Sequence, residues 1–285
     1  MRLAPRLLLA TVLALSVAAT GAEASNLDVQ RRVEADVSSG RPVVVHVVVA
    51  LCDNVNQGIV PVPGKLGDGQ SPSTNLYWGA AFGFRSYLLR RGGYELIDEH
   101  KPAHSPVLER VVLHTRVNRN GKLRDVFVVA EAWDGREMRA AINRFLTLAA
   151  GAAPHSEKVT LQAKQIELAS GGSAALVMFI GHNGLMDFRL RAEPHRRPGA
   201  PPRSAVVLAC SSKLYFEDRL RRIGCNPLIL TAGLMAPEAY TADAIITAFA
   251  GGGSPGEVRD AAAAAYNRYQ QCGLAAAKRL FSTCR

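Results

Sequence analysis

The stretch PVVVHVVVAL, residues 42–51, sets six valines around a single histidine with no alternating polar positions. A β-branched run of this kind has to be covered on both faces, which is the mark of a central strand in a parallel sheet with helices on either side. His46, inside the run, is expected to be a core histidine with satisfied ring nitrogens. Further apolar runs of strand length follow: LVMFI at 176–180, SAVVLAC at 204–210 and PLILTAG at 227–233. Helical patterns alternate with them at 76–93, 135–152, 213–224 and 236–251. ERVVLHTRV and LRDVFVVAEAW, on either side of Asn120-Gly121, predict an inserted β-hairpin, and YELI at 94–97 a short strand. Ser254-Pro255-Gly256-Glu257 has the residues of a capping box and opens a helical segment over 254–285. The order predicts one α/β domain over 25–285, a mostly parallel sheet with helices on both faces.

The first residues, MRLAPRLLLATVLALSVAATGAEAS, place Arg2 and Arg6 before a short apolar run and end in Ala22-Glu23-Ala24. This pattern is that of a secretory signal peptide over 1–24, cleaved near Ala24, so the protein is expected to be exported to the periplasm or beyond the cell. No cysteine precedes Cys52, which removes a lipid-anchor thiol, and no later stretch predicts a membrane span. The net charge of +10 is spread along the chain and its few aromatic residues are not interleaved with the basic ones, so no nucleic-acid partner is implied.

Two of the strands end on reactive side chains. LVMFI-Gly stops on His182, followed by Asn183-Gly184, and SAVVLA stops on Cys210, followed by Ser211-Ser212. In an open parallel sheet reactive groups gather beyond the carboxyl ends of the strands. If the two strands are neighbours joined by a right-handed crossover, His182 and Cys210 emerge on one edge. Cysteine supplies a nucleophile whose thiolate forms near neutral pH, and histidine takes and returns the proton. Backbone N–H groups at Cys210, Asn183 and Gly184 are then the candidate oxyanion donors. Acyl transfer from a peptide bond is the chemistry this pair suits, with a peptide or protein as substrate.

A hydrophobic strand ending in His with Gly close behind, followed by a hydrophobic strand ending in Cys, resembles the caspase-like cysteine peptidases. Cys210-Ser211-Ser212 is similar to the Cys-Ser-Ser run of the separase-type members. The resemblance implies a caspase-like α/β/α sandwich, a Cys210–His182 dyad, and neither cofactor nor metal. Where the family has Gly directly after the histidine, Asn183 intervenes here, and Leu208 is apolar where the family often has a polar residue. In members that cleave after basic residues an acid follows the first strand. Asp53 is in that place, and with Ser211 it is a candidate for the substrate pocket and for a preference for Arg or Lys; alternatively, Asp53 caps a turn.

Residues 52–75 form a connection rich in Gly, Pro and Asn, of a length that is usually functional or inserted. The Arg- and Pro-rich segment 191–203 reads as an extended, exposed linker. Of the five cysteines, Cys272 and Cys284 are the candidate disulfide, with the partners of Cys52 and Cys225 open. Two other readings stay open: a catalytically silent relative that binds peptides or small molecules, and an envelope interaction protein in which all the thiols are structural.

Overall fold

The computed structural model describes residues 25–283. The expected signal peptide, its cleavage site and Cys284 lie outside the described residues. The valine run forms β1 (Val43–Ala50), every residue of it buried. Around it lie β2 (Glu95–His100), β3 (Val107–Arg119), β4 (Lys122–Trp133), β7 (Leu176–Ile180), β8 (Ser204–Leu208), β9 (Asn226–Thr231) and β10 (Phe281–Ser282). They make one eight-stranded sheet in the order β10-β9-β8-β7-β1-β4-β3-β2, and a two-stranded sheet pairs β5 (Pro154–Leu161) with β6 (Lys164–Gly171). β4, β1, β7, β8 and β9 run parallel, while β3, β2 and β10 add antiparallel edges.

Alternation along β1 divides the core. Val43, Val45, Val47 and Val49 face α1 (Asn26–Ser38), α2 (Phe84–Arg90), α5 (Ala239–Ala250), α6 (Pro255–Gln270) and α7 (Leu274–Leu280). Val44, Val48 and Ala50 face α3 (Met138–Ala149), α4 (Ser212–Arg222) and the β5–β6 hairpin. The architecture is the expected α/β one, consistent with a caspase-like sandwich.

His46 lies on the second face, 2% exposed. Its Nδ1 accepts the N–H of Gly171 (3.1 Å), so the ring carries its proton on Nε2 and donates to Glu131 (3.0 Å). Glu131 also takes the Trp133 indole N–H (3.0 Å) and the Arg144 guanidinium (2.8 Å). Burial disfavours the ion, but His46 and Arg144 outweigh it and hold the Glu131 carboxyl well below the usual range.

Two local expectations are corrected, and two elements appear for which there was no expectation. The helix expected over 76–93 is confined to Phe84–Arg90, because the segment before it folds into successive turns. α1, for which no helix was expected, opens on a capping box whose Ser25-x-x-Asp28 spacing is present in the sequence. The β5–β6 hairpin turns on Gln162 and Ala163, both at positive φ (49° and 63°), a conformation usually signalled by Asn or Gly. The segment 191–203 is no solvated linker: Arg197 and Arg203 donate to the carbonyls of Gly151 (2.7 Å) and Ala149 (3.0 Å), placing positive charge on the carboxyl end of α3. Arg203 is 1% exposed.

Candidate active site

β7 and β8 are adjacent, with Ile180 opposite Leu208. Gly181 N–H continues the ladder to Leu208 O (3.2 Å), so the chains leave β7 and β8 side by side, His182 two residues after Ile180 and Cys210 two residues after Leu208. Gly181 is required at this point: its φ is +148°, and a Cβ there would come within 2.8 Å of Ala50 O on β1. The side chain of Asn183, fully buried, donates to Cys210 O (2.7 Å) and accepts Leu185 N–H (3.2 Å), which ties the two strand ends together. The residue that breaks the expected His-Gly pattern is thus a clamp between the loops that carry His182 and Cys210.

Cys210 is partly exposed. Its Sγ receives the N–H of Met235 (3.4 Å) and lies 3.7 Å from Met235 O, in the loop after β9. Ser211 follows in the left-handed region (φ 49°), a conformation uncommon for a residue with a side chain, and its N–H bonds Gly233 O (2.8 Å). Ser212 then starts α4 and is locked through its hydroxyl to Val207 O (2.9 Å) and to Thr231 (3.0 Å). The chain therefore turns sharply from strand to helix and presents Cys210 at the bend. Among the described residues no acceptor is in place for the Cys210 N–H, whereas Gly184 N–H is taken up by His182 O (3.1 Å).

The imidazole of His182, 8% exposed, has its Nε2 at 2.6 Å from Asp187 Oδ2. Asp187 follows the short 3-10 turn Gly184–Met186. Sequence reasoning passed over it; the signal available was an acid five residues after the histidine, across a Gly-containing turn. Met235 and Tyr77 were also missed, as both reach the site from distant loops.

Asp53 is 2% exposed and its carboxylate is saturated. Oδ1 accepts the N–H groups of Val55 (2.9 Å) and Asn56 (3.0 Å), and Oδ2 those of the Asn56 (3.0 Å) and Gln70 (2.9 Å) side chains. Burial raises its pKa, but these bonds outweigh it and hold the carboxyl below its ordinary value. Of the two roles considered for Asp53, the geometry is that of the turn cap. Gln70 also reaches Asp134 (2.9 Å), and Asn75 clamps the N–H and C=O of Cys52 (3.1 and 2.8 Å), so residues 52–75 are fastened to the ends of β1 and β4.

Ser211 borders a cavity of about 420 Å³ together with Lys213, Leu214, Glu217, Asp218 and Thr231. A larger one, about 630 Å³, lies at the opposite edge of the sheet among Arg41, Pro42, Leu123, Arg124 and Glu167, away from His182 and Cys210.

Cys52 is buried beneath the same edge with its thiol beside the Tyr77 hydroxyl; burial pushes it up to about 11, so it stays protonated at neutral pH. Cys52 and Cys210 are both free thiols. Cys272 is exposed; its suggested partner Cys284 is not described. No group of three or more His, Cys, Asp or Glu among the described residues is placed to hold a metal, and no described helix is long and apolar enough to cross a membrane.

No protein-family model, curated protein or solved structure matches this chain.

Proposed function

We propose that this protein is an exported caspase-like cysteine peptidase, with Cys210 as nucleophile and His182 as the proton carrier. The observation that carries the reading is the register of β7 and β8, which brings both strand ends to one edge, with Asn183 bridging the two. In the reaction, the Cys210 thiol gives its proton to the imidazole and its sulfur bonds the scissile carbonyl carbon. The oxyanion takes the open N–H of Cys210. The imidazolium returns the proton to the leaving amine as the C–N bond breaks, and water then hydrolyses the thioester.

A preference for Arg or Lys before the scissile bond is retained, moved to another acid. Asp53 has no lone pair left for a substrate, whereas the cavity next to Ser211 carries the exposed Asp218 carboxylate; Glu217 beside it is paired with Arg221 (3.1 Å). Exposed Val55, Val60, Met186, Leu214 and Leu234 lie in the segments after β1, β7, β8 and β9, around the same edge, and offer apolar contacts to a peptide. Export suits the fold as well: Ser25 is the N-cap of α1, so a chain beginning there keeps its cap.

One observation favours the alternative of a non-hydrolytic peptide binder: the thiol is held by the Met235 backbone and the imidazole by Asp187. Stoichiometric alkylation decides between the two. Treatment with iodoacetamide under non-reducing conditions, followed by peptide mapping, is expected to modify Cys210 well before buried Cys52. Cleavage of Arg- and Lys-containing fluorogenic peptides should fall in step with that modification. Cleavage undiminished by full alkylation of Cys210 would rule out the peptidase assignment, and saturable binding without turnover would establish the alternative.

A further inference from the structure

We propose that Asp187 is the positioning residue for His182 and that the connection after β1 sets it in place through Gly58. The inference rests on the reading of His182 as the proton carrier. Asp187 uses its two carboxylate oxygens on two different parts of the chain. Oδ2 meets the imidazole at 2.6 Å. Oδ1 lies against Gly58, so close that a Cβ there would be 2.8 Å from it. Gly58 does not have a positive φ, and all that an added Cβ would meet is the movable end of the Asp187 side chain.

The turn that presents Asp187 is itself braced. Asp187 N–H and Phe188 N–H both bond Gly184 O (3.0 Å each). The Arg139 guanidinium stacks 4.0 Å over the Phe188 ring and donates to Arg189 O (2.6 Å). Gly184 leaves no room for a side chain, because a Cβ would meet Met138 at 2.5 Å and the Phe188 ring at 2.8 Å. A carboxylate held this way selects one imidazole tautomer: Nε2–H donates to Asp187, and Nδ1 remains the unprotonated nitrogen that can take the thiol proton. A mere surface ion pair would be nearly neutral for stability and would impose no tautomer, since the Asp187 side chain is 40% exposed.

These roles separate in ¹⁵N spectra of the histidine rings, with His182 assigned by difference from His182→Gln. The native protein is expected to show a single Nε2–H tautomer. Asp187→Ala should give a mixture of tautomers and an about 100-fold loss in kcat/KM. Gly58→Ala, which leaves Asp187 itself unaltered, should push the carboxylate aside and reproduce both effects in weaker form. Asp187→Asn retains an acceptor oxygen and should recover part of the tautomer preference. Should Asp187→Ala fold poorly, Asp187→Asn and Gly58→Ala carry the same readout. An unchanged His182 tautomer in Asp187→Ala overturns the positioning role, and an unchanged tautomer in Gly58→Ala overturns the part assigned to the loop. If the native protein cleaves no peptide but the tautomers respond as described, the positioning inference stands and the peptidase reading fails.

Discussion

Cys210→Ala is expected to lower kcat/KM for peptide cleavage by at least about 10⁴-fold while leaving the fold intact. The loss is large because covalent attack has no equivalent once the sulfur is gone: a serine hydroxyl is a far weaker nucleophile than a thiolate at neutral pH, and that of Ser212 is buried and spent on Val207 and Thr231. The effect on stability is small because Cys210 is partly exposed and its sulfur's hydrogen bonds, to the Met235 backbone at 3.4 and 3.7 Å, are weak. His182→Ala should cost nearly as much activity, and the double variant no more than the worse single one, since the two side chains act as one unit. Steady-state kinetics and a urea unfolding curve on each variant provide the check. Additive losses would mean that the two residues do not work together, and cleavage retained in Cys210→Ala would place the nucleophile elsewhere.

The parts of this site that could be read from sequence are those that depend on strand ends. Gly181-His182 and Cys210 each follow an uninterrupted apolar run, and such runs are legible because a strand buried on both faces has no polar positions to blur it. Their adjacency was conditional on strand order, which only the pairing of β7 with β8 supplies. Asp187 and Gly58 are 129 residues apart in sequence, and their contact depends on how the segment after β1 is folded back. That fold-back is built from side chains on backbone groups, with Asp53, Asn54, Gln57 and Asn75 as the fasteners. In the sequence those same residues read as generic turn formers, or, in the case of Asp53, as a substrate ligand. A saturated carboxylate and an available one are spelled alike. Similarly, the β5–β6 hairpin escaped notice because Gln162 and Ala163 adopt a turn that other chains mark with Gly, with tertiary packing of Val159, Leu161 and Leu168 supplying what local preference does not.

Glu131→Ala is expected to destabilise the fold by about 3–5 kcal/mol, a large share of the about 5–15 kcal/mol that a domain has in total. The carboxylate is 5% exposed and is the acceptor for His46 Nε2–H and Trp133 Nε1–H, both in buried positions. Removing it leaves those two donors without a partner, and only Arg144, with 29% of its side chain exposed, can turn to water. The consequence reaches the site, because Trp133 O accepts Leu51 N–H (3.0 Å) at the end of β1 and Asp134 follows directly in the network that fastens residues 52–75. The pH dependence has a definite sign. Since the native carboxyl titrates below its ordinary value of 4.5, its contribution is fully present above that pH and is lost progressively as the pH falls below it. Urea unfolding at pH 7 and at pH 3.5 should therefore show the native protein losing stability on acidification, with a shallower loss in Glu131→Ala. A variant within about 1 kcal/mol of the native protein at pH 7, or one with the same acid slope, would show that the buried carboxylate does not hold β1 and β4 together in the way the hydrogen bonds indicate.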